Sequence, residues 1–164
     1  NEIGNNIVIF EQKMFYYKLN LFYEDYIWQG TKAVKRKNFI SPQWLRNIKG
    51  KKYSKWRLDT FFSKKKYSNL LFVKDGGWHF TCLRSPEELE KKLLNFAHHY
   101  EFEESGLKLD DIKQLIKDKR VMYDHTVDQK GYKWSGKSIL KNLDSKFLPD
   151  HVSSNLGKYS DWLD

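Results

Sequence analysis

Leu70-Leu71-Phe72-Val73, Lys74-Asp75-Gly76-Gly77, Trp78-His79-Phe80-Thr81 and, after a short gap, Ser85-Pro86-Glu87-Glu88-Leu89 pack a strand, a turn and a helix start into one short stretch. The first four residues form a brief apolar run with polar flanks, the pattern of a buried strand. Gly76-Gly77 after Asp75 reads as a turn, because glycine tolerates positive φ and allows close backbone approach. On a following strand, Trp78 and Phe80 share one face and His79 and Thr81 the other. Ser85 is placed as an N-cap, with Pro86 first in the helix and Glu88 completing a capping box. Leu89, Leu93, Phe96 and Ala97 then recur at i, i+4, i+7 and i+8, giving that helix one apolar face.

The same rules extend outward. Upstream, Ile7 to Phe10 has the length of a buried strand, and Met14 to Leu19 is aromatic enough for another, with Glu11-Gln12-Lys13 as a polar break. Ser41-Pro42-Gln43-Trp44-Leu45-Arg46 repeats the Ser-cap, Pro-first helix start. The stretch from Arg57 to Phe62 reads as a strand. Downstream, a helix is expected from Asp110 to Lys119 with Ile112, Leu115 and Ile116 inward, and Leu148-Pro149-Asp150 opens a last one. Strands alternating with helices define a mixed α/β class, a mixed sheet with flanking helices. A length of 164 residues suits a single domain over 1–164.

Composition narrows the function. The chain is 40% hydrophobic and 16% aromatic, too rich in core-forming residues for a disordered tail. No apolar run approaches the roughly 20 residues of a membrane span. One cysteine, Cys82, excludes an intrachain disulfide and reads as a small packing residue. The net charge of +9 is concentrated: from Lys32 to Lys66 there are 13 Lys/Arg against one acid, Asp59. Those charges are mostly lysine, whereas bidentate phosphate and base recognition favours arginine. A solvated basic face, a phosphate-bearing ligand and nucleic acid are the three readings of that segment, with nucleic acid the least favoured.

Several familiar sites are missing. Gly136-Lys137-Ser138 matches only the tail of a phosphate-binding loop, and no dinucleotide fingerprint is present. One cysteine and five scattered histidines give no zinc spacing. His98 and His99 diverge by about 100° on a helix and read as helix-end residues. The segment from Gly76 to Thr81 is the richest in chemistry. Trp78 offers an apolar face with an N–H handle, suited to a sugar ring, and His79 can act as acid, base, donor or ligand. From the residues alone, a ligand site competes with a core tryptophan beside a hydrogen-bonded histidine.

Gly-Gly-Trp-His-Phe-Thr at Gly76 to Thr81 resembles the Gly-Trp-His-Phe-Ser segment of glycosyltransferase family 17. Further stretches are similar in the same order: Phe10 to Asn20; Trp28-Gln29-Gly30-Thr31-Lys32; Ser41 to Arg46; Ser85-Pro86-Glu87; Phe96-Ala97-His98; Leu148-Pro149; and Tyr159-Ser160-Asp161-Trp162-Leu163. The resemblance implies a nucleotide-sugar-binding, GT-A-like fold and an inverting transferase using UDP-N-acetylglucosamine as donor and a glycan as acceptor, forming a beta-1,4 linkage. A divalent cation, Mn or Mg, is implied as well. Its carboxylates belong to an Asp-x-Asp-Glu-Ile-Pro segment that Asn1-Glu2-Ile3-Gly4 does not match, so the chain is expected to be the C-terminal part of such an enzyme. Asp75 is the first candidate for the general base, then Glu101 and Glu103. His79 is cast as a diphosphate or metal contact. Gly76, Gly77, Trp78, Tyr17 and Trp28 are assigned to the sugar sites, and Lys32 or Arg46 to phosphate. No nucleic-acid partner is expected. The expected location is the cytoplasm for a bacterial or viral relative and the Golgi membrane for a eukaryotic one. The alternatives are a non-catalytic carbohydrate-binding module and a nucleic-acid-binding protein acting through residues 32–66.

Overall fold

The structure, a computed structural model, describes residues 7–54, 56–96, 99–128 and 131–164, with the side chain of Phe61 also left out. In chain order its strands and helices are β1 (Ile7–Phe10), β2 (Gln12–Tyr16), β3 (Leu21–Trp28), β4 (Lys32–Ala33), α1 (Pro42–Asn47), α2 (Leu58–Phe61), β5 (Leu70–Val73), β6 (Trp78–Thr81), α3 (Pro86–Leu94), α4 (His99–Ser105), α5 (Leu109–Lys117), β7 (Lys141–Asn142) and α6 (Asp150–Ser153). The class is mixed α/β, with two mixed sheets ordered β4-β1-β5 and β6-β2-β3-β7. Two compact units divide the chain. Unit 1 comprises residues 1–12 and 27–77, and unit 2 comprises residues 13–26 and 78–164.

Unit 1 holds the three-stranded sheet. β1 runs parallel to β5, Ile7 opposite Leu70 through Phe10 opposite Val73, and β4 closes the other edge antiparallel. Ile7, Ile9, Ile48 and Leu70 are buried together, flanked by Trp44, Leu45, Tyr67 and Phe72. Ser41 caps α1 as expected, its hydroxyl accepting from the Trp44 N–H at 3.1 Å. After β5 the chain turns at Asp75-Gly76-Gly77. The Gly76 N–H donates to the Glu11 carbonyl at 2.8 Å, and a Cβ at Gly76 would sit 2.9 Å from Phe10 Cβ. Gly77 has φ +115°, which L side chains rarely adopt.

Unit 2 holds the four-stranded sheet and α3 to α6. β2 runs parallel to β6, pairing Lys13 with Trp78, Met14 with His79, Phe15 with Phe80 and Tyr16 with Thr81. Met14, Phe15, Leu21 and Tyr23 are buried in this sheet, and α3 packs on α4 and α5 through buried Leu89, Phe102 and Ile112. The α3 capping box forms as the sequence indicates, each partner satisfying an otherwise orphaned donor.

Several expectations are corrected. Gln12 and Lys13, expected in a polar break, open β2, which ends at Tyr16 rather than Leu19. Residues 58–61 are a helical turn, α2, rather than part of a strand: the Thr60 hydroxyl bonds the Arg57 carbonyl at 2.6 Å, and Arg57 reaches forward to Asp59. His99 opens α4 instead of ending the preceding helix, because α3 stops at Leu94 and its cap Asn95 turns back onto Lys91. Phe96 therefore lies beyond the α3 apolar face; Ala97 and His98 fall outside the described residues. Strand β3 has no counterpart in the sequence reading. Glu24 and Asp25 interrupt its aromatic run, and the structure shows both exposed, with Glu24 paired to Lys141 on the edge strand.

Candidate functional site

The parallel strands β2 and β6 end side by side. The residue after each takes a left-handed backbone: Tyr17 at φ 66° and Cys82 at φ 55°, with the Tyr17 N–H bonded to the Thr81 carbonyl. Such conformations are uncommon outside glycine and cluster where function constrains the chain. The carboxyl ends of parallel strands are also where open α/β sheets place ligands. A cavity of about 400 Å³ opens there, lined by Tyr16, Cys82, Leu93, Phe96, Glu101, Phe102, Met122, Tyr123, His125 and Trp134. A second, of about 700 Å³, shares Glu101, Tyr123 and Trp134 and adds Glu104, Ser105, Tyr132 and Lys133. Both volumes fall in the range of small-molecule sites. Together they form a two-lobed cleft, with Glu101, Tyr123 and Trp134 common to both lobes.

Aromatic rings form the walls. Tyr123 meets Trp134 edge-on at 5.2 Å and His125 at 5.0 Å; Phe102 lies 5.6 Å from Trp134, and His125 stacks on Tyr26 at 4.9 Å. Lys133 places its ammonium 5.5 Å from the Tyr123 ring centroid. These contacts are tertiary, because the described residues between 121 and 138 contain no helix or strand. What fastens the segment is Asp124, 3% exposed. Its carboxylate accepts from the Tyr23 hydroxyl at 2.7 Å, the Ser138 hydroxyl at 2.6 Å, and the Thr126 N–H and hydroxyl at 2.9 and 2.6 Å. Burial pushes the Asp124 pKa up, but those donors outweigh it and hold it at about 2. The flanking residues Tyr123 and His125 line the smaller lobe.

Burial keeps His79 and His125 neutral. Burial, helped by Lys133 and opposed by Asp124, pulls His125 down to about 4, and His79 contributes to the same lowering. His79, half-buried on β6, is lowered by burial. At neutral pH both imidazoles are therefore hydrogen-bonding groups without charge. Burial pushes the Tyr16 and Tyr17 hydroxyls up, so both stay protonated donors. Cys82 packs half-buried in the wall, its thiol 3.7 Å from the Thr81 hydroxyl.

The residues singled out from sequence divide between the two units. His79, Glu101, Trp78 and Tyr17 belong to unit 2; Asp75, Gly76, Gly77, Trp28, Lys32 and Arg46 belong to unit 1. Glu101 lines both lobes, and His79 lies within electrostatic range of His125. Glu103 follows on α4 and lines neither lobe. Tyr17 is buried beside Tyr16 and borders a separate cavity with Lys18, Arg84 and Trp162. The Trp78 indole N–H donates to the Phe147 carbonyl at 2.7 Å. Asp75 sits exposed on the turn with φ 48°. The Lys32 ammonium is spent on the Arg46 and Ile48 carbonyls at 2.8 and 2.7 Å, the end of α1, while Arg46 is exposed. His125, Tyr123 and Trp134, absent from the sequence assignment, line the cleft as well. Among the described residues, no three His, Cys, Asp or Glu side chains converge as a metal site requires, and no helix is long and apolar enough to cross a membrane. The chain matches no protein-family model, no curated protein and no solved structure.

Proposed function

We propose that this chain is the catalytic and acceptor-binding part of an inverting, nucleotide-sugar-dependent glycosyltransferase of GT-A-like fold. It would move N-acetylglucosamine, or a related sugar, from a UDP donor to a glycan hydroxyl. The observation that carries this reading is the aromatic cleft at the carboxyl ends of β2 and β6 with Glu101 shared by its two lobes. Sugar rings present apolar C–H faces to rings such as Tyr123 and Trp134, and polar edges to groups such as Glu104, Ser105 and Lys133. The ordered resemblance centred on Gly76 to Thr81 supports the same class.

Glu101, which lines both lobes, is the general base in this proposal. Its carboxylate takes the proton of the acceptor hydroxyl as that oxygen attacks the anomeric carbon. The bond from that carbon to the diphosphate oxygen breaks, the electron pair leaves with UDP, and configuration at the carbon inverts. Neutral His125, in the wall of the smaller lobe, can donate or accept a hydrogen bond without adding charge. A divalent cation would supply charge stabilisation to a diphosphate leaving group, but among the described residues no three His, Cys, Asp or Glu side chains come together to hold one.

Calorimetric titration of a mannose-containing oligosaccharide, with and without UDP, tests the assignment. Binding should strengthen when the nucleotide is present, and Trp134→Ala should weaken it at least about tenfold, the loss of one stacked aromatic face. Equal affinity in the folded variant removes the cleft from the account. Binding that ignores the nucleotide supports instead a carbohydrate-binding module using the same aromatic walls.

A further inference from the structure

Residues 49–66 of unit 1 combine two properties that stand outside the transferase reading. Eight are Lys or Arg and one is acidic. At the same time Trp56 is 93%, Leu58 75% and Phe62 90% exposed, a degree of exposure unusual for three large apolar side chains so close in sequence. Described residues of the segment contact one another. Asp59 accepts both Arg57 nitrogens at 2.9 Å and the Lys66 ammonium at 2.6 Å, and both cations lie over the Tyr53 ring at 5.6 and 5.7 Å. The one acid is thereby neutralised within the loop, and Lys51, Lys52, Lys64 and Lys65 are exposed around the apolar residues.

We propose that residues 49–66 dock this protein onto a membrane surface carrying anionic phospholipid. Interfacial segments join Trp, Phe and Leu, which enter the boundary between headgroups and acyl chains, to lysines that meet the lipid phosphates. Charge complementarity selects an anionic partner, and the apolar side chains distinguish lipid from nucleic acid. Trp56 and Phe62 could stack on bases, but Leu58 offers no ring, and insertion of all three uses each exposed side chain. The predominance of lysine over arginine fits dispersed headgroup charge better than bidentate base recognition.

Co-sedimentation with vesicles is the test. The protein should sediment with phosphatidylcholine vesicles containing phosphatidylglycerol and stay in solution with phosphatidylcholine alone. Tryptophan fluorescence should be quenched by brominated acyl chains in the anionic vesicles only, a readout that needs no variant. Trp56→Ser/Leu58→Ser/Phe62→Ser should lower partitioning at least about tenfold. Lys51→Gln with Lys52→Gln should lower it by about fivefold per charge. Circular dichroism matching the wild type would show both variants folded. Failure to sediment with anionic vesicles overturns the proposal. So does full partitioning by the triple variant, or binding to labelled single-stranded or duplex DNA in place of vesicles.

Discussion

Tyr23→Phe removes one oxygen from the buried cluster that holds the cleft, and its cost can be worked from the geometry. The Tyr23 hydroxyl donates to Asp124 Oδ1 at 2.7 Å, and Tyr23 itself is fully buried. A hydrogen bond to a charged acceptor contributes about 1.5–3 kcal/mol. Asp124 keeps three other donors, from Thr126 and Ser138, so the lower part of that range applies. With a urea m-value of about 2 kcal/mol/M, a loss of about 2 kcal/mol moves the midpoint down by about 1 M at unchanged m. The effect should depend on pH with a definite sign. The Asp124 carboxyl titrates near 2 in the folded protein, below its ordinary 3.8, so its contribution is fully present above about pH 4 and is lost as pH falls through 2. The gap between wild type and variant should therefore be widest near neutrality and shrink in acid. Urea unfolding followed by tryptophan fluorescence at several pH values measures both. A midpoint that is unchanged or raised at neutral pH, with m unchanged, would refute the claim that this hydroxyl secures Asp124.

Three further outcomes follow from the same structure. His125, held near 4 against an ordinary 6.5, contributes stability present above 6.5 and lost as pH falls toward 4, by up to about 3 kcal/mol; His125→Gln should flatten that slope in thermal unfolding, and an unchanged slope assigns it elsewhere. Gly76→Ala would drive a methyl to 2.9 Å from Phe10 Cβ and 3.0 Å from the Val73 carbonyl, costing about 1–3 kcal/mol in chemical denaturation. Ser85→Ala deletes the acceptor of the Glu88 N–H and should cost about 1 kcal/mol, with Ser85→Asp restoring most of it.

The parts of the fold that were legible in the sequence are those written in local chemistry. Ser41-Pro42 and Ser85-Pro86 announce helix starts because a side-chain acceptor and a missing N–H act within one turn, and Leu70 to Val73 reads as a strand from its own apolar run. Residues 57–62 mislead because Phe61-Phe62 carries strand propensity, while the helical turn is set by the Arg57, Asp59 and Thr60 contacts. β3 is obscured by Glu24-Asp25, tolerated where the strand passes out of the core. The cleft was the least legible. Glu101 is a carboxylate that sequence reasoning reaches, yet His125, Tyr123 and Trp134 line the cleft through a segment whose shape depends on Tyr23 and Ser138, which meet Asp124 from 101 and 14 residues away. No local pattern around Tyr123-Asp124-His125 signals that convergence.

The central claim is that Glu101 is the base of a sugar transfer in this cleft. Transfer of labelled N-acetylglucosamine from UDP-N-acetylglucosamine to a mannose-containing acceptor by this protein tests it most directly. Glu101→Gln should lower kcat at least about 100-fold with the fold intact and acceptor binding within a few-fold of wild type. Wild-type turnover in that variant would contradict the account.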